Sequence, residues 1–159
     1  MQFYTIGVYG STEEEYFRKL QDYNMDLFCD IRQRRGVRGK KYSFVNSIRL
    51  QNKLKELNID YLHIKELAPT KKIRSKQKED DKQKNILKRD RHMLGDIFIN
   101  EYNDCILKNY NFDDLLSYIE KNNYHNIVFF CVEKEFNACH RSLVAHKLKN
   151  QYNFDIKDI

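Results

Sequence analysis

Two short and almost uninterrupted apolar stretches constrain this chain more than any other feature. Asp26 to Ile31 and Ile127 to Val132 are each about as long as one strand and too short for a helix. Their residues are apolar on successive positions, as in a strand buried on both faces. Such strands belong to parallel sheets, where crossover helices cover the two faces. The expectation is therefore α/β: one Rossmann-like domain over residues 1–159, with a mostly parallel sheet under helices on both faces.

The rest of the chain alternates accordingly. Phe3 to Val8 reads as a first buried strand, and Ser11 with Glu14 reads as a capping box before Tyr16, Phe17 and Leu20 at helical spacing. Leu50, Leu54 and Leu57 mark a second helix stopped near Asn58, and Ile59 to Ile64 alternates as a third strand. Lys65 to Lys82 reads as a polar loop holding the single proline, Pro69. From Asp81 to Asn109 a helix is expected, with Leu87, Leu94, Phe98 and Cys105 on one face and Gly95 as a kink. Asn111 with Asp114 opens another helix carrying Leu115, Leu116 and Ile119. A last helix spans about Ala138 to Lys149, and Phe154 to Ile159 adds a terminal strand.

Composition narrows the class. With 41% hydrophobic and 33% charged residues the chain is globular material, and no apolar run approaches membrane-spanning length. The segment MQFYTIGVYG lacks a basic stretch followed by an apolar one, so no secretory signal is expected and the expected address is cytoplasmic, without a membrane partner. The four cysteines are then expected as reduced thiols, with Cys29 and Cys105 as inert core. The net charge of +6 suits an acidic partner, such as a phosphorylated small molecule or nucleic acid. Lysine is abundant alongside Asn, Ile and Tyr, so part of that charge follows compositional drift.

In a parallel sheet the strand C-terminal ends share one edge, and ligands bind there. Gly7 to Ser11, Asp30-Ile31-Arg32 and Cys131 to Arg141 converge on that edge. With Asn137 as N-cap, Cys139 falls in the first turn of the last helix, where the dipole and free N–H groups favour a thiolate. His140 and Arg141 lower its pKa further, and the turn with Ser142 offers an anion site. The competing reading makes Cys139 a small buried residue, His140 a surface histidine, and Arg141 a partner for Glu133 or Asp30. Metal binding is not expected. Cys131, Cys139 and His140 offer ligands, but no compact second pair accompanies them, and adjacent Cys-His seldom ligates one zinc with both. No motif asks for a cofactor.

The loop Arg32 to Lys41 holds six basic residues in ten, and its arginines can meet a phosphorylated ligand or a nucleic-acid backbone. Tyr42 and Phe44 beside it are candidates for stacking on bases. The alternative is a solvated loop with both rings packed beneath it. The mixed-charge stretch Lys71 to Arg91 looks like an exposed helix face.

At these residues the chain resembles the bacterial domain of unknown function 488 family over nearly its whole length. The resemblance rests on Thr5-Ile6-Gly7 with Ser11, Asp30-Ile31-Arg32, Phe44 before a helix, and Ile59-Asp60-Tyr61-Leu62-His63 leading to Glu66-Leu67. It continues with Cys131-Val132-Glu133 running on to Cys139-His140-Arg141-Ser142. Many relatives carry a proline-serine-arginine turn after the aspartate-x-arginine. Gln33 to Gly39 instead resembles a subgroup with its own arginine-rich loop. The family implies a compact α/β fold and brings no activity with it. A looser likeness is to rhodanese-like domains, in which Cys131 would match the reactive cysteine and Arg141-Ser142 the end of its loop.

Two functions are consistent with these residues. One is an enzyme acting on a phosphorylated, nucleotide or nucleic-acid substrate. In it Arg32, Arg35, Arg141, Ser142 and Ser11 hold the anion, Asp30 or Glu133 acts as acid or base, and Cys139 with His140 supplies a nucleophile or polar wall. The other is a nucleic-acid-binding module using the arginine-rich loop 32–41, or a scaffold without catalysis.

Overall fold

The computed structural model describes residues 1–87 and 90–159. Its strands are β1 (Gln2–Ile6), β2 (Leu27–Asp30), β3 (Asp60–His63), β4 (Asn126–Phe130) and β5 (Ile156–Asp158). They form one sheet in the order β3-β2-β4-β1-β5, and every pairing is parallel. The helices are α1 (Glu13–Asp22), α2 (Ser47–Glu56), α3 (Lys71–Gln83), α4 (Asp96–Tyr102), α5 (Phe112–Lys121) and α6 (Arg141–Tyr152). The expected α/β architecture is the observed one, and no helix among the described residues is long and apolar enough to cross a membrane.

Alternate residues of the buried strands supply two cores. On one face Phe28, Val128 and Phe130 meet Tyr16, Phe17 and Leu20 of α1 and Leu50 and Leu54 of α2. On the other, Phe3, Leu27, Cys29, Ile127 and Phe129 meet side chains of α3 to α6. This two-sided burial is the physical reason the strands read as continuous apolar runs.

Several local expectations are corrected. Thr12 rather than Ser11 caps α1: its hydroxyl accepts from Glu15 N at 3.2 Å, and Glu15 Oε2 returns a bond to Thr12 N at 2.8 Å. Both residues have an acid three positions on, and the reciprocal bonds form at Thr12 and Glu15, with Tyr16, Phe17 and Leu20 buried on the inner side of α1. The polar loop expected from Lys65 to Lys82 contains α3, started by the Thr70 hydroxyl on Ile73 N. Helix α3 is not a wholly exposed face, because Gln77 and Asp81 are buried. The helix expected from Asp81 to Asn109 is interrupted: α3 ends at Gln83, α4 begins at Asp96, and Lys88 and Arg89 lie outside the described residues. Helix α4 runs into a π-helical turn over Asn103–Leu107, where the wider winding turns Cys105 to solvent. Cys105 is therefore not core.

Candidate functional site

Register brings four strand ends level. Ile6 lies opposite Phe130, Phe130 opposite Asp30, and Asp30 opposite His63. Strand β4 sits centrally between β2 and β1, so the residue after it, Cys131, emerges in the middle of the edge. Backbone pairing carries on one residue past the strands, from Cys131 N to Ile6 O and from Ile31 N to Phe130 O. Gly7 is required beside it: a Cβ there would lie 2.1 Å from the Glu133 carbonyl oxygen.

The segment after β4 leaves the sheet, makes a short 3₁₀ turn over Phe136–Ala138 and returns to α6. It is fastened from three sides. Leu94 N donates to Asn137 O, Arg91 Nη2 donates to Ala138 O, and Arg141 donates from Nη1 to Glu133 O and from Nη2 to Lys134 O. The return brings Cys139 and His140 back over Cys131. The His140 Nδ1 lies 3.8 Å from both the Cys131 and the Cys139 sulfur. Its Nε2 is 3.0 Å from the Ile31 carbonyl oxygen. A carbonyl only accepts, so Nε2 carries the proton and the ring turns Nδ1 toward the sulfurs.

Asn137 is not the N-cap that sequence suggested. Helix α6 starts at Arg141 with His140 as N-cap, and Cys139 precedes it in extended backbone. The Cys139 N–H donates to Phe136 O and the Ser142 N–H to Cys139 O, so these donors are already engaged. Burial would raise the Cys139 thiol, but the bond from the Cys131 thiol, then His140 and Arg141, hold it well below the usual thiol range. Cys131 is pushed the other way, by its bond to Cys139 and then by burial.

These groups floor a cleft of about 630 Å³ between the edge of the sheet, the loop after β2 and helix α3. Cys131, Cys139, His140, Glu133 and Arg32 line it, together with Arg34, Arg38, Arg74, Lys78 and Arg91. Six basic side chains thus surround the opening against two acidic ones, Asp81 and Glu133. The Arg32 guanidinium is 4% exposed and clamps Asp30 through Nε at 2.8 Å and Nη2 at 2.7 Å. It sits over the Phe130 ring at 4.5 Å, and its Nη1 is buried without a hydrogen-bond partner.

Other residues singled out from sequence lie away from the cleft wall. Asp30 is wholly buried beneath Arg32 and accepts a further bond from the Tyr61 hydroxyl at 2.8 Å. Arg141 is also wholly buried, with Nε on Asp158 and its other nitrogens on backbone carbonyls. Ser142 donates its hydroxyl to Cys139 O, while Ser11 and Arg35 do not line the cleft. His140 is buried, not a surface histidine, and Phe44 is core, so only Tyr42 keeps an accessible ring. Sequence reasoning had Arg34 and Arg38 within the basic loop 32–41 but missed Arg74, Arg91 and the Gln77–Asp81 pair behind them. Asp81 accepts from Arg91 at 2.7 Å and from Gln77 at 2.7 Å, which positions the guanidinium. The readable signal was the polar i, i+4 spacing of Gln77 and Asp81 on the inward side of α3.

An all-parallel α/β sheet with a polar, basic cleft at its strand C-terminal edge defines a protein of the Rossmann-like fold class. The chain belongs to the family described as domain of unknown function DUF488, whose model matches residues 12–148. No curated protein and no solved structure matches it.

Proposed function

We propose that this chain is an enzyme acting on a phosphorylated substrate, a nucleotide or a nucleic-acid end, taken into the strand-end cleft. One observation carries the reading: Arg32 lines the cleft with its Nη1 buried and unpartnered, while Asp30 fixes the rest of its guanidinium. An unpaired buried donor costs about 1–3 kcal/mol, and an anionic oxygen would recover that cost. Arg34, Arg38 and Arg74 at the mouth add charge that draws anions inward. Glu133 at the rim is the acid or base, and the Cys131–Cys139–His140 floor faces the reacting group. Arg141, Asp30 and Ser142 serve the site by holding its frame.

The cleft reading is favoured over a binding surface on the loop exterior. Arg34 and Arg38 line the cleft, and the Phe44 ring is buried against Tyr16 and Phe17 rather than free to stack. The test is calorimetric titration with phosphate, pyrophosphate, nucleoside monophosphates and a 5′-phosphorylated oligonucleotide. Arg38→Ala and Arg74→Ala are each expected to weaken saturable binding about tenfold, a loss of about 1.4 kcal/mol. Glu133→Gln is expected to bind the same ligands and turn none of them over. Binding that is absent, or indifferent to both arginines, overturns the proposal.

A further inference from the structure

We infer that Cys131, Cys139 and His140 form a binding site for one Zn²⁺ ion, with its fourth coordination position open to the cleft. The three ligand atoms lie within 4.8 Å of one another, and all three residues are buried. Tetrahedral zinc with Zn–S near 2.3 Å and Zn–N near 2.0–2.1 Å sets a sulfur and a nitrogen about 3.5–3.6 Å apart and two sulfurs about 3.8 Å apart. The two sulfur–nitrogen separations, 3.8 Å each, lie within about 0.3 Å of that spacing.

The imidazole is prepared for the task. With Nε2–H on the Ile31 carbonyl, Nδ1 is the ring nitrogen that faces both sulfurs and is placed to ligate a metal. A metal-bound histidine commonly gives its other N–H to just such an acceptor, which fixes both tautomer and ring orientation. The adjacency of Cys139 and His140 argued against a shared ion in sequence. Extended backbone at Cys139 followed by the turn at His140 removes that objection, since both side chains end on the same side.

Charge also fits. In the bound state both sulfurs are thiolates, so Zn²⁺ with two thiolates and a neutral imidazole is uncharged overall. The neighbouring cations are already paired: Arg32 with Asp30, Arg91 with Asp81 and Arg141 with Asp158. A neutral metal centre therefore upsets no buried charge balance. Thiolate and imidazole together select zinc over calcium or magnesium. Among the described residues no fourth side chain joins the three, and all three line the cleft. Three protein ligands beside an open cavity are the form of a zinc site that takes a water or a substrate atom.

The experiment needs no substrate, so its outcome is separate from that of the anion titrations. Reduced, chelator-stripped full-length protein is loaded with Zn²⁺ against a chromophoric competitor, and with Co²⁺ as a spectroscopic probe. One Zn²⁺ per chain is expected, bound with Kd below about 1 μM. Co²⁺ is expected to give tetrahedral d–d bands and charge transfer of two-thiolate intensity. Cys139→Ser and His140→Gln should weaken Zn²⁺ by more than about 100-fold, beyond the loss typical of an outer partner. Cys105→Ser, at the exposed thiol, should leave it unchanged. Wild-type protein that takes up no stoichiometric Zn²⁺, or a Co²⁺ spectrum without thiolate bands, overturns the inference without relying on any variant folding.

Discussion

The segment after β2 and the start of α6, to which the segment after β4 returns, carry the same device and use it differently. Each places a buried arginine against an aspartate, Arg32 on Asp30 and Arg141 on Asp158. Around Arg141 every nitrogen is satisfied, by Asp158 and by the carbonyls of Glu133 and Lys134. Around Arg32, a residue of the cleft lining, Nε and Nη2 are held while the buried Nη1 is left without a partner. Arg141 is a clasp on the returning loop; Arg32 is a clamped guanidinium with one donor left over, the donor that the proposed function gives to a ligand. A buried arginine is thus informative through the nitrogen its surroundings leave unpaired, not through its burial or its charge.

The largest effect is expected from Asp30→Ala. Arg32 would become a buried charge without its counter-ion, which costs about 3–5 kcal/mol. Urea unfolding should show that drop, with phosphate binding lost as the guanidinium is no longer held. A stability within about 1 kcal/mol of wild type would mean that Arg32 is solvated, and the contrast with Arg141 would break.

Arg141→Ala comes next, at about 3 kcal/mol. Two carbonyls lose their donors, but Asp158 is 32% exposed and can turn to water, so no charge is trapped. The distinguishing measurement is phosphate affinity in the folded fraction, which should fall far less than in Arg38→Ala. Loss of binding with little loss of stability would assign Arg141 to the ligand after all.

Much of this fold could be read from the chain because β2 and β4 are buried on both faces, with β3 and β1 beside them and β5 beyond β1 at readable spacing. Helix α3 could not, for a physical reason. Its inward positions are Ile73, Gln77 and Asp81, so only one apolar residue marks the buried side and hydrophobic periodicity vanishes. Cys105 was misjudged because a π-helical turn breaks the 3.6-residue phase that placed it inward. At the site, sequence order identified the residues that meet at the sheet edge but not the direction of their polar atoms. Asp30, Arg32, Cys131, Cys139 and His140 do gather there. Which guanidinium is free, and which imidazole nitrogen faces the sulfurs, depends on carbonyls of Ile31, Glu133 and Lys134 that no residue type announces.

Tyr61→Phe is the smallest and sharpest probe of the β2 end. The Tyr61 hydroxyl donates to Asp30 Oδ2, the oxygen that also accepts from Arg32 Nη2. Burial, then Asp30, push the Tyr61 hydroxyl well above the usual phenol range, so it stays protonated and remains a donor. Its removal should cost about 1 kcal/mol, because Asp30 keeps both bonds from Arg32. In a double-mutant cycle with Asp30→Ala most of that loss should disappear, since Tyr61 then has no carboxylate to serve. Additive losses would instead place the value of Tyr61 in its ring packing on Phe28, whose centroid lies 6.2 Å away. In that case Asp30 would be held by Arg32 alone, and the two segments would differ less than their hydrogen bonds imply.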